Sequence, residues 1–436
     1  MHNNKISNKF LIFPYVTIVG YILITMILSF FGPVKFPYYS FILKLLVFTF
    51  ILLFLIFTVL GFKIGEKKSR SKNYKLIYYS SKKLNNKLLY LSIFVLVIKL
   101  LLVISTIRIE GFPEFSTFFD TIARVYTDNK RSETYVNIYR RIDTFFSFIS
   151  LFFILTSLYN WRYLTKVIKL FLITVIGLDL IYDLFFIGTQ RAIINIVIYV
   201  FAVYIIRTFQ KGKILNIRSF IKYIFFAFGI LFILSLFLNA RFEVWNSTRA
   251  IIHSNGIIYD LNNFFLYLIP QQMKYQFTTI ISYVTQGYYG LGLTLTIPFE
   301  WTLGLGSSRA INSIVAEILP QVSNLINMTY PLRAESIYGY PGMANWHTIF
   351  PWLASDFTFI GSIIYMSFVA YIYIQTYYSS VKNNNAISFT LFTLLTIQYI
   401  FVPANNQLFI NRGDTISIII FFILWIIYRR RKYYIY

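Results

Sequence analysis

A chain of 436 residues that is 57% hydrophobic and only 13% charged, with a mean hydropathy of +0.64, cannot give each helix the polar face that a water-soluble fold requires. Forty Lys/Arg against 16 Asp/Glu leave a net charge of +24, yet a nucleic-acid role would need these cations on one folded face, and they are scattered over short connections. Cysteine is absent, which removes disulfides, thiol nucleophiles and thiolate metal sites.

Apolar runs of about 18–22 residues are long enough to cross a hydrocarbon layer of roughly 30 Å. They predict an all-α, polytopic membrane protein with about ten spans, at 10–31, 37–62, 88–107, 142–159, 167–187, 192–206, 223–240, 357–378, 386–404 and 413–428. No small-residue cleavage site follows the first run, so it reads as a retained helix. The chain then divides into spans one to seven (1–240), a large connection (241–356) and spans eight to ten with a basic tail (357–436).

Charge predicts the sidedness. The N-terminus, 63–87, 160–169, 207–222, 379–385 and 429–436 carry 24 Lys/Arg against one acid, Glu66, whereas the opposite side carries 14 Lys/Arg against 13 acids. By the positive-inside rule both termini are expected in the cytoplasm and 241–356 outside it. Lys outnumbers Arg 17 to 7 on the basic side, but Arg outnumbers Lys 11 to 3 on the other. A preference for the planar, forked cation points to bound phosphate or carboxylate, or to salt bridges with the 13 outer acids.

In chain order, Lys44 and Lys99 fall inside predicted spans, as do Asp179 and Asp183, which share a helical face at i, i+4. Ionisable groups at such depth are functional candidates; the plainer reading pairs Asp183 with Arg191, at the tip of the hairpin GTQR (188–191), or with another outer arginine. In the large connection, Trp245, Arg249 and His253 recur at i, i+4, i+8. The stretch 278–301 is apolar but broken by Gly287, Gly290, Gly292 and Pro298, and is expected to re-enter the membrane or lie at its interface rather than cross, walling a cavity. Ser307 is expected to cap a helix over 308–319, with Arg309 in its first turn, as an ordinary cap or an anion site. Arg333 and Glu335 follow, and then GYPGMANWHTIFPWLASDF (339–357), in which Pro341, Gly342 and Pro351 are expected to prevent a long helix. For His253 and His347, packing is as good an explanation as chemistry.

Three stretches, GTQRAIINIVI, TTIISYVTQGYYGLGLTLTIPFEWTLGLGSS and TYPLRAESIYGYPGMANWHTIFPWLASDFTFIGSIIYM, resemble the Wzy-type polymerases that join O-antigen or capsule repeat units, and so does the layout of about ten helices with one large late loop. The resemblance covers most of 180–378. It departs from members that carry paired loop motifs of Arg, ten residues and Gly, because no outer arginine has Gly at that offset.

The resemblance implies a glycosyltransferase acting on undecaprenyl-pyrophosphate-linked oligosaccharides at the outer face of the cytoplasmic membrane. It implies the bilayer as surroundings, and a flippase and a chain-length regulator as pathway partners. No cofactor is expected. No Asp/Glu-x-Asp/Glu motif is present to hold a metal, so arginines would stabilise the departing pyrophosphate: Arg191, Arg241, Arg249, Arg309 and Arg333. His347, then Glu335, then Asp356 are the candidate bases for the acceptor hydroxyl, and Trp346 and Trp352 would stack on sugars or sit at the bilayer interface. The alternatives are an O-antigen ligase and, in a different class, a lipid-linked oligosaccharide flippase or other transporter.

Overall fold

A computed structural model describes residues 8–70, 75–79, 81–111, 138–211, 256–429 and 431–435, with a few isolated residues between them. The fold is a helical bundle. Its helices are α1 (Asn8–Phe31), α2 (Phe41–Arg70), α3 (Ser81–Glu110), α4 (Ile138–Phe145), α5 (Ser147–Tyr159), α6 (Lys166–Ile181), α7 (Arg191–Gln210), α8 (Lys274–Thr294), α9 (Arg309–Ile318), α10 (Tyr330–Tyr338), α11 (Phe350–Asn383), α12 (Ala386–Ile400) and α13 (Arg412–Tyr428). The strands are short: β1 (Val34–Lys35) pairs antiparallel with β3 (Ile258–Tyr259), and β2 (Lys75–Tyr79) pairs parallel with β4 (Arg431–Ile435).

Among the described residues, five helices are long and apolar enough to cross a membrane: α1 from Phe13, α2 to Ser69, α3, α7 and α11; the pair α4–α5, bent by 53°, makes a sixth if it is one span. Helices also occupy the predicted spans 167–187, 386–404 and 413–428, whereas 223–240 lies almost wholly outside the described residues. Several helices overrun the apolar windows: α2 continues to Arg70 and α3 starts at Ser81. Backbone hydrogen bonding continues past the first charged residue, because a helix end in water needs no apolar surface.

The tightest seam is α2 on α11. A Cβ on Gly61 would lie 2.2 Å from the Ser367 carbonyl oxygen, and one on Gly65 would lie 2.7 Å from that of Tyr371. Such bare positions let the two backbones approach closely, which in hydrocarbon replaces a solvent-driven attraction.

Contacts sort the connections into two ends. At one end Tyr378 donates to Glu66 (3.0 Å), Asn85 to the Tyr163 carbonyl (2.9 Å), Tyr159 to Gln210 (2.7 Å) and Asn385 to the Tyr428 carbonyl (3.1 Å). These are the basic connections. At the other end Lys35 meets Asp260 (4.0 Å), Ser308 donates to the Phe409 carbonyl (3.1 Å) and Ser147 to that of Gly413 (2.8 Å).

Helix α8 begins and leaves at this second end. Tyr275 packs on Tyr259, and the chain beyond it runs to Ser308, while Tyr288 at its middle reaches inward to Thr25 (2.8 Å) and the Ile22 carbonyl (3.2 Å) of α1. Its glycines press against a ladder in which His347 and Ile349 donate to the carbonyls of Ala404 (3.2 Å) and Val402 (3.1 Å): a Cβ on Gly287 would lie 2.0 Å from the Pro403 carbonyl oxygen.

Two local expectations are corrected. Helix α9 is capped by Ser308, whose hydroxyl accepts from Ile311 N–H at 3.1 Å, and Ser307 instead donates its N–H to Asp356. Pro351 starts α11 rather than stopping a helix, since a first-turn proline surrenders only an N–H that has no helical partner. The break falls at Thr358 (φ 62°), where two helical pieces join.

Candidate functional site: an arginine-lined cavity

At the end opposite the basic connections, a cavity of about 1050 Å³ lies among α3 to α9, the segment 341–346 and the start of α13. Among the described residues its walls carry six cations, Lys99, Arg140, Arg141, Arg191, Arg309 and Arg412, and five carboxylates, Asp143, Asp179, Asp183, Glu317 and Asp414.

The inner wall is a pair of ion triads. Lys99 of α3 places its ammonium 2.7 Å from Asp143 of α4 and 2.7 Å from Asp179 of α6. Arg191 of α7 lies 3.5 Å from Asp183 and 3.4 Å from Asp414 of α13. Charges this deep are tolerated only when paired. A single π turn, Tyr182–Phe186, follows α6, and its wider register separates Asp183 from Asp179, so each carboxylate serves a different cation.

The outer wall is looser. Arg412 spans Glu317 (2.7 Å) and the Ser313 hydroxyl (3.0 Å), and this hydrogen bond holds the Glu317 carboxyl below its usual range. Arg309 in the first turn of α9 lies over the Trp352 ring, 5.8 Å from its centroid. Arg140 and Arg141 have no carboxylate within 4.0 Å among the described residues. Arg140 is half-buried and Arg141 exposed, so the forks on α4 are the least committed cations here. Trp346 joins the lining with its ring edge-on to Tyr283 at 5.0 Å.

Of the arginines singled out from the sequence, Arg191 and Arg309 meet here, while Arg241 and Arg249, with Trp245 and His253, lie outside the described residues. Arg333 is elsewhere: it grips Glu300 (2.7 Å) and the Pro298 carbonyl (2.8 Å), pinning the loop after α8.

None of the three proposed bases lines the cavity. Asp356 is buried and takes donors from Thr302 (2.5 Å), Gly306 N–H (3.3 Å) and Ser307 N–H (2.6 Å), which makes it the anchor of the 302–307 loop. Glu335 is exposed and accepts from Gly342 N–H at 2.8 Å, where the chain turns tightly over Pro331. His347 is fully buried beneath Tyr340, with Nε2 3.4 Å from the Pro341 carbonyl and Nδ1 without a partner. Trp352 is also buried, away from the cavity.

Sequence reasoning passed over Arg140, Arg141, Arg412, Asp143, Asp414 and Glu317. The outer excess of Arg over Lys was the available signal, since it counts all three of these arginines. Among the described residues no three His, Asp or Glu side chains form a metal-ligand group.

Burial pushes the His347 imidazole down from 6.5 to about 4, so the folded protein holds it neutral. Between these values the unfolded chain binds a proton that the folded one refuses. Stability is therefore full above about pH 6.5, falls with pH, and the loss is complete below about pH 4, at order 3 kcal/mol. His347→Gln is expected to flatten this acid limb of a thermal-melt series; an unchanged limb would refute the buried neutral state.

No protein-family model matches the chain, and neither a curated protein nor a solved structure is significantly similar to it.

Proposed function

We propose that the protein is a membrane glycosyltransferase that joins undecaprenyl-pyrophosphate-linked oligosaccharide repeat units into an O-antigen or capsular polysaccharide at the outer face of the bacterial cytoplasmic membrane. The observation that carries this reading is the convergence of five arginines on one cavity at the end of the bundle opposite the basic loops. A diphosphate leaving group develops charge as its glycan departs, and forked donors already in place stabilise it without reorganisation. Arg140 and Arg141 are the donors for that role, with Arg309 also in the lining. Arg191 and Arg412, being paired with carboxylates, shape the pocket around them. The acceptor hydroxyl needs a proton acceptor, and the cavity carboxylates supply the candidates in place of His347, Glu335 and Asp356.

The experiment is deletion of the gene followed by gel analysis of surface glycan, complemented by Arg140→Gln/Arg141→Gln. Deletion is expected to leave single repeat units. The double variant, present at normal level, is expected to lower polymerisation about 100-fold or more, the usual loss when a well-placed donor is removed. Normal polymer after deletion ends this reading, and free lipid-linked polymer after deletion would indicate the ligase instead.

A second reading, a lipid-linked oligosaccharide flippase or other transporter, is favoured by one observation: the two buried ion triads on neighbouring helices, an arrangement that transport proteins use for proton or substrate relays. Movement of lipid-linked oligosaccharide across vesicles without bond formation would decide for it.

A further inference from the structure

The cavity holds two amide groups that the ion triads and the arginine donors do not use. Gln190 stands at the N-cap position of α7, but its side chain caps nothing; it is 7% exposed and its Nε2 has no hydrogen-bond partner. Asn345 lies in the turn after Gly342, where its backbone N–H donates to the Pro341 carbonyl at 3.0 Å, and its side-chain Nδ2 is likewise buried without a partner. Both line the same cavity, and Trp346, the neighbour of Asn345, lines it too. Buried amide donors are almost always paired, so two orphans in one cavity mark places where something else supplies the acceptor. The anion-binding forks on α4 are on another element, and Asn345 is the chain neighbour of the cavity-lining Trp346 indole. Neutral amides beside an aromatic face match a sugar, which offers hydroxyl oxygens to the N–H groups and apolar C–H to the ring.

We propose that Gln190 and Asn345, with Trp346, form a carbohydrate subsite next to the arginine cluster and position one sugar residue of the lipid-linked substrate through hydroxyl or N-acetyl oxygens. This rests on the glycan-transfer reading above. The two amides are positioning residues: they hold the ring while the arginines hold the charged group.

The test uses the full chain in nanodiscs, with undecaprenyl-pyrophosphate-linked repeat units extracted from cells lacking the gene as substrate and inorganic pyrophosphate as a competing anion. Gln190→Leu and Asn345→Leu are each expected to raise KM about 5-fold, the worth of one hydrogen bond. Gln190→Met and Asn345→Val, which stay close in size and remove the amide donor without adding charge, are expected to do the same with inhibition by pyrophosphate unchanged. The near-isosteric pair keeps the proposal testable if the leucine variants do not fold. An unchanged KM overturns the subsite, and so does a matching loss of pyrophosphate affinity, which would make it part of an anion site. If the wild-type protein makes no polymer, retention of the labelled lipid-linked units on the nanodisc protein becomes the readout. Weaker retention in the variants then upholds the subsite while the polymerase reading falls; equal retention, or none by the wild type, overturns the subsite.

Discussion

Arg191→Ala is expected to lower both the amount of protein and its product. On sequence grounds alone this change would spare the fold and remove only a pyrophosphate contact. The geometry alters that expectation: among the described residues Arg191 is the one cation paired with Asp183 and Asp414, and its removal leaves two carboxylates on the cavity wall without a counter-ion. Stranding buried charge in this way costs on the order of 3 kcal/mol. Arg191→Lys is expected to recover abundance in part, because one ammonium balances the charge but does not reproduce the fork that reaches both carboxylates. Arg333→Ala is the contrast. It breaks an ion pair whose acid, Glu300, is 48% exposed, worth less than about 1 kcal/mol, and polymer is expected to persist. Immunoblots, thermal midpoints in detergent and glycan gels read all three. A wild-type midpoint for Arg191→Ala would refute the triad.

Lys99→Met is the second large effect. Its ammonium joins α3 to α4 and α6 through two carboxylates at equal distance, with the side chain only 9% exposed. Methionine matches the stem and removes the charge, leaving Asp143 and Asp179 half-buried side by side without the cation they share, at a cost of about 3 kcal/mol. The triple variant Lys99→Met/Asp143→Asn/Asp179→Asn is expected to regain most of the lost midpoint, because a neutral, hydrogen-bonding set has no charge to compensate. A wild-type midpoint for Lys99→Met would mean that the clasp contributes nothing to stability, and equal midpoints for the single and triple variants would refute stranded charge as the cause of the loss.

The sequence was most legible where one-dimensional pattern coincides with physics. Hydropathy located the apolar helices, since a run that avoids charge for about twenty residues has few other destinations. Charge sorted the connections into two groups, and the contacts of Glu66, Asn85, Gln210 and Asn385 gather the basic ones at one end. Of the glycine-containing apolar stretch at 278–301, residues to Thr294 lie in the unbroken helix α8, with Gly287 pressed against the Pro403 carbonyl. The pairing of Asp183 with Arg191 was also accessible, because the two residues flank one hairpin.

The site was less legible. Polar residue types drew attention to His347, Glu335 and Asp356, yet these satisfy local structure: a buried ring, a turn and a loop anchor. A residue's type states what bonds it can make, and spacing cannot tell whether a backbone N–H nearby has already taken them. Arg140, Arg141 and Arg412 looked like ordinary loop charges because α4 and α13 are far apart in the chain, and only the packing of α13 on α4 and α5 brings them to one wall.

The amino-acid sequence by itself determined that this chain is a multi-span helical membrane protein with a basic side and an arginine-rich side, because transfer free energy and charge are summed along the chain and need no partner. Tertiary structure alone decided which arginines share a cavity, which are neutralised and which amides are left unpaired. Those properties depend on contacts of about 3–4 Å or less between residues as far as 223 positions apart in the chain, and at that range a single carboxylate or carbonyl determines whether a cation is bound already or open to a ligand.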